Sequence, residues 1–150
     1  MARLVLTDAV VTLNATDISE YVTSVTLNTP EDVVETTSFG PVGARTRTSG
    51  LKDHSITLEL NNDFASGNLE AVVQGIGIGN LASLTVKPTS AAISTSNPIY
   101  KADGSTGATA ADLAGQILIS EWTPLNGAVG ELATVSVTWP VSGQIVRATA

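Results

Sequence analysis

Apolar and polar positions alternate with a period of two through most of this chain, which predicts strands. Residues 9–14 show the pattern first and stop at the turn-forming Asn14-Ala15-Thr16-Asp17. Residues 21–28 resume it, so the two segments read as a β-hairpin or as two consecutive strands. Val11-Thr12-Leu13-Asn14 recurs as Val25-Thr26-Leu27-Asn28, either as a duplicated unit or as two strands of like composition. Residues 33–39 can be extended. The cleanest strand covers residues 54–61, with Ile56, Leu58 and Leu60 on one side and Ser55, Thr57 and Glu59 on the other. Residues 81–87 form a further strand, halted by Pro88, and residues 97–101 a short edge strand. Residues 115–122 and 132–139 make two more, connected through residues 125–130, and residues 145–148 close the chain.

One segment breaks the alternation. Between residues 63 and 76, Leu69, Val72, Val73 and Ile76 recur at helical spacing, with Ser66 or Asn68 available as a cap. Gly75, Gly77 and Gly79 end the helix. Two stretches have little to bury. Residues 40–50 hold three glycines, a proline and two arginines, which predicts a long mobile loop, and residues 103–110 predict a flexible surface loop. The expected fold is mainly β: a sandwich or barrel of seven or eight strands with one flanking α-helix, forming a single domain over residues 1–150.

Composition narrows the function. Only 14% of the 150 residues are charged and 43% are apolar, which argues for a folded chain. The net charge of −7 argues against sequence-reading nucleic-acid recognition, which needs a basic footprint. The absence of cysteine excludes disulfides and thiolate chemistry. The opening Met1-Ala2-Arg3-Leu4-Val5-Leu6-Thr7-Asp8 is too short in its apolar part for a signal peptide, and no apolar run reaches spanning length. A soluble, unprocessed protein made inside the cell, with no membrane association, is the expectation.

Chemistry is sparse. His54 is the single histidine, so no multi-histidine metal site is possible. Asp53-His54-Ser55 has the residue types of a catalytic triad, but neighbours on a strand point to opposite faces and cannot converge. A solvent-exposed His54 at the start of a strand is the expectation. Glu31, Asp32 and Glu35 read as a solvated acidic edge. Gly75-Ile76-Gly77-Ile78-Gly79-Asn80 lacks the sixth-place glycine of a dinucleotide fingerprint, and its glycines follow a helix instead of opening one. Asn61-Asn62-Asp63 and Asp103-Gly104-Ser105 offer oxygens without the spacing of a calcium loop. No enzyme activity, cofactor or metal is expected.

Assembly remains. The strands at 55–61 and 116–121 are lightly charged, so they are either edges taken up by neighbouring subunits or central strands of the chain's own sheet. Glu31, Asp32 and Glu35 precede Arg45, Arg47 and Lys52. Placed at opposite ends of the subunit, these would join unlike charges in head-to-tail stacking; otherwise they form an ordinary mixed surface.

Residues 12–27, from Thr12-Leu13-Asn14-Ala15-Thr16-Asp17 through Val25-Thr26-Leu27, resemble the opening of the tail tube (major tail) proteins of long-tailed, non-contractile bacteriophages, particularly those infecting actinobacteria. The run Gly50-Leu51-Lys52-Asp53-His54-Ser55-Ile56-Thr57-Leu58-Glu59-Leu60-Asn61-Asn62-Asp63-Phe64 is similar to the same family, as are Val86-Lys87-Pro88-Thr89-Ser90-Ala91 and Thr134-Val135-Ser136-Val137-Thr138-Trp139-Pro140. The resemblance implies a β-sandwich with one helix, assembled into hexameric rings whose inner strands form a shared barrel. Such rings stack into the virion tail, which conducts DNA to the host without specific binding. Its partners are the tail terminator, tape measure and distal tail proteins. On this basis residues 40–50 reach the adjacent ring, with Arg45, Arg47, Lys52, Glu31, Asp32 and Glu35 as inter-ring contacts. Ser55, Thr57 and Glu59 are then expected to face the channel, and residues 103–110 to decorate the outside. The alternatives are a capsid-decoration or tail terminator protein, or a carbohydrate-binding β-sandwich module. The last would need platforms from Trp122, Trp139, Tyr21, Tyr100, Phe39 and Phe64.

Overall fold

The computed structural model describes residues 5–40, 43–105 and 113–149. It is mainly β, with 43% strand and 8% helix, arranged as two five-stranded antiparallel sheets, a two-stranded ribbon and one α-helix. The strands are β1 (Val10–Leu13), β2 (Thr16–Asp17), β3 (Val22–Asn28), β4 (Glu31–Glu35), β5 (Arg47–Lys52) and β6 (Ser55–Asn61). Helix α1 (Leu69–Ile76) follows, then β7 (Leu81–Ala82), β8 (Leu84–Lys87), β9 (Ile99–Ala102), β10 (Gln116–Leu118), β11 (Thr134–Ser142) and β12 (Val146–Ala148).

The first sheet runs β12-β9-β8-β1-β2 and the second β3-β6-β11-β10-β7, while β4 pairs with β5 alone. The alternating residues meet between the two large sheets. Val11, Leu13, Leu84 and Val86 come from the first, and Ile56, Leu58, Leu60, Val135, Val137 and Trp139 from the second. Helix α1 adds Leu69 and Val73, each wholly buried. Full burial of side chains of this size is worth roughly 1.5–3 kcal/mol each, so this two-sided interior is the main source of stability.

Several segments depart from the reading of the sequence. β1 does not pair with β3. Asn14 and Ala15, at φ 50° and 69°, turn β1 tightly into β2, and β3 enters the other sheet. Residues 81–87 are two strands, because β7 pairs with β10 and β8 with β1 and β9, the chain changing sheets at Ser83. β9 is an interior strand, flanked by β8 and β12. β11 continues through Pro140 to Ser142. The Val141 N–H bonds the carbonyl of His54, the residue before β6, at 2.9 Å. Position 140 therefore points its nitrogen toward β10, whose pairing with β11 reaches only Val141.

The stretch at 40–50 is not all loop. Residues 47–50 belong to β5, with Pro41 and Val42 outside the described residues. Gly50 allows the close pairing, since a Cβ there would lie 3.1 Å from Asp32 Cβ and from Val34 Cγ2. At 103–110, Asp103 bridges to Gln116, and residues 106–110 lie outside the described residues.

Candidate functional site

The lightly charged strand at 55–61 is central, and so is the part of 116–121 that forms a strand, which is only Gln116–Leu118. β6 lies between β3 and β11, and β10 between β11 and β7. The edges of this sheet are the two-residue β7 and β3, and β3 has seven residues without a charge and, among the described residues, no strand neighbour on its outer side. Long uncharged edges are templates for pairing with another chain.

The outward face of β3, β6 and β11 follows from their register. Thr26, Thr57 and Thr138 stand side by side, and Ser24, Glu59 and Ser136 form the next row. Asn28 and Ser55 are paired beyond them. The Thr57 and Thr138 hydroxyls are 3.0 Å apart, and Thr23 Oγ1 donates to the Glu59 carbonyl at 3.1 Å. Ser55, Thr57 and Glu59 thus share one face, as their alternation predicts, and Glu59 is exposed on it. The face is a field of hydroxyls around a single carboxylate. The described Lys and Arg residues lie elsewhere: Arg45, Arg47 and Lys52 with the ribbon, and Lys87, Lys101 and Arg147 on the first sheet or at its edge. Ser24, Thr26, Ser136 and Thr138 were not singled out from the sequence. Their strand patterns were visible, but the pairing order that joins them into one face was not.

The other predicted residues converge differently from expectation. Glu31 lies opposite Lys52, and Glu35 opposite Arg47, across the β4–β5 ribbon. The acidic and basic segments are therefore partners within one arm, not opposite ends of the subunit. Two strands held by local pairing bring unlike charges face to face, which favours their register. The Thr36 and Thr46 hydroxyls, 3.0 Å apart, continue the arm, and a 3.0 Å bond from the Asp53 N–H to the Pro30 carbonyl closes its base. Every residue of both strands is exposed, including Val33 and Leu51. A ribbon without a buried face is marginal by itself.

His54 is at the foot of this arm and is buried, contrary to the exposed position expected of it. Its Nδ1 accepts the Ile145 N–H at 2.8 Å, which needs the neutral ring with its proton on Nε2. Burial, and secondarily the charge of Lys52, hold its pKa below the ordinary histidine value, against smaller opposing effects of Glu31 and Asp53.

Other sequence candidates have structural work. Asp63 accepts from the Ala65 N–H at 2.9 Å and from Asn68 Nδ2 at 2.7 Å, shaping the entry to α1. Asn68 is the N-cap residue, although its side chain makes no capping bond. Gly77 ends the helix at φ 88°, and Asn80 Nδ2 donates to the Ile76 carbonyl at 2.7 Å. Trp122 and Trp139 are buried with ring centroids 6.4 Å apart, so neither offers the flat outer platform that a carbohydrate-binding module uses. Among the described residues no group of three or more His, Cys, Asp and Glu is placed to hold a metal ion, and no helix is long and apolar enough to cross a membrane.

No protein-family model matches this chain, and no curated protein matches it in sequence.

Proposed function

We propose that this chain is the tail tube subunit of a siphophage-like virion, forming hexameric rings that stack into a DNA conduit. The observation that carries the reading is the face of β3, β6 and β11, where hydroxyls surround Glu59 and none of the described lysines or arginines stands. Turned toward a channel, such a wall repels phosphate and presents none of the described Lys or Arg side chains that would pair with phosphates and release the DNA's counterions, so DNA slides past.

Two further features support it. The free edge of β3 belongs to the same sheet, so pairing there would extend that face from one copy to the next. The arm of β4 and β5 suits contact with another molecule, since every residue of both strands is exposed, Val33 and Leu51 among them. The tail terminator, tape measure and distal tail proteins are the partners this role entails.

Electron microscopy of the purified protein in negative stain tests the proposal. Rings or hollow tubes are expected; a monomer persisting at high concentration overturns it. In tubes that form, Glu59→Lys should retain DNA that the unaltered tube releases, and equal passage through both would remove the hydroxyl face from the channel.

A further inference from the structure

The arm and the connection between β10 and β11 occupy opposite ends of the second sheet. β11 starts at Thr134 beside Asn61 and ends at Ser142, near the foot of the arm. The Asn62 N–H bonds the Ala133 carbonyl at 3.0 Å, and its side chain donates to the Pro124 carbonyl at 2.6 Å, which holds residues 124–133 at the Thr134 end. There, Leu125, Val129 and Leu132 are all strongly exposed, Val129 wholly so. Glu131 is the one charged residue among 123–133, and Asp63 and Glu70 follow on the adjoining segment, where there is no lysine or arginine.

At the other end, Gly50, Leu51, Lys52, Leu113, Gly115 and Gln144 line a cleft of about 550 Å³. Leu51 and Leu113 are exposed at its sides. Gln144 spans it, accepting from Lys52 Nζ at 2.7 Å and donating to the Leu113 carbonyl at 3.1 Å. Lys52 is the one charged residue in its lining. An exposed apolar surface with one acid therefore matches an apolar cleft with one base. Nine residues of strand separate them, roughly 30 Å, so a chain cannot fill its own cleft with its own loop.

We propose that residues 123–132 of one copy seat in the Leu51–Leu113 cleft of the next, with Glu131 approaching Lys52. This contact deepens, and rests on, the tube reading: it names the two surfaces that stack. Because the surfaces differ and lie at opposite ends, the contact is heterologous, the kind that propagates along a filament when its rotation does not close. Of the charges expected from the sequence to pair between copies, Glu31, Asp32 and Glu35 with Arg45, Arg47 and Lys52, Glu35 stands opposite Arg47 and Glu31 opposite Lys52 within one arm; Glu131 would join Glu31 beside Lys52.

The chain has no cysteine, so paired substitutions report contact between copies directly. Leu113→Cys with Val129→Cys should give, on mild oxidation of assembled protein, a ladder of disulfide-linked multimers, and each single variant should give none beyond a dimer. Glu131→Lys alone and Lys52→Glu alone should shorten tubes, and the two together should restore length. If the unaltered protein forms no assembly at all, the tube reading falls and this contact with it. If tubes form normally but no ladder appears and both charge reversals leave length unchanged, the contact alone is overturned.

Discussion

Gly115 and Gly143 lie backbone against backbone, so close that a Cβ on either would come 2.8 Å from the other's Cα. The Gly115 N–H also bonds the Gln144 carbonyl at 2.8 Å, tying the start of β10 to the turn between β11 and β12. Only a pair without side chains permits that approach. Gly115→Ala should therefore destabilise the fold by about 1–3 kcal/mol through overpacking. Gly143→Ala should cost at least as much, since φ at this position is 117°. Urea denaturation measures both, and an unchanged midpoint would show that the two segments can separate freely.

His54 makes stability depend on pH. The unfolded chain takes up the proton near the ordinary value of about 6.5, before the folded chain does, because burial lowers the folded value. Stability from this group is thus intact above about 6.5 and falls as the pH drops toward the folded value. Protonation at Nδ1 also displaces the Ile145 N–H. Melting temperature followed across mildly acid pH should decline more steeply in the unaltered protein than in His54→Gln, and parallel curves would contradict the buried acceptor.

The two tryptophans should respond unequally to loss of their indole nitrogens. Trp139 Nε1 donates to the Glu121 carbonyl at 2.9 Å, whereas Trp122 Nε1 is buried with no partner among the described residues. Trp139→Phe strips a carbonyl of its donor, while Trp122→Phe removes an unsatisfied polar atom. The first should cost about 1–2 kcal/mol more than the second in denaturation experiments.

Ala15 occupies the second turn position between β1 and β2 with φ 69°. An alanine there is strained, and glycine is not. Ala15→Gly should raise stability by about 0.5 kcal/mol, the relief of strain exceeding the added freedom of the unfolded chain. A lower melting temperature would mean that the turn relaxes in solution.

The arm separates folding from assembly. Val33→Thr and Leu51→Thr alter exposed residues outside the buried core, so each should change stability by no more than about 0.5 kcal/mol. Both should weaken tube formation, seen as a higher protein concentration needed for sedimenting material. Loss of stability with assembly intact would show that the arm packs on its own subunit.

The legible part of this protein was its local periodicity. Alternation at Ile56, Leu58 and Leu60 identified β6 and its buried side, and the helical spacing of Leu69 and Val73 identified α1, because both patterns reflect one element meeting one interior. Likewise Ser55, Thr57 and Glu59 could be placed on one polar face before any fold was known. Asn14-Ala15 signalled a turn, but the partner of the strand leaving it did not follow from the turn.

What the amino-acid sequence determined alone was the mainly β character with its longer strands, the single α-helix, the shortage of charge and the lack of cysteine; β2, β5 and the division of residues 81–87 into β7 and β8 were not in its pattern. Tertiary structure decided which strands are neighbours: that Thr26, Thr57 and Thr138 form one row, that Glu35 faces Arg47, that His54 is buried, and that Gly115 meets Gly143. The physical reason is range. Periodicity is imposed residue by residue along the backbone, whereas strand order and close approach depend on contacts between residues far apart in the chain, eighty-one positions for Thr57 and Thr138 and ninety-two for Lys52 and Gln144, which no local pattern encodes.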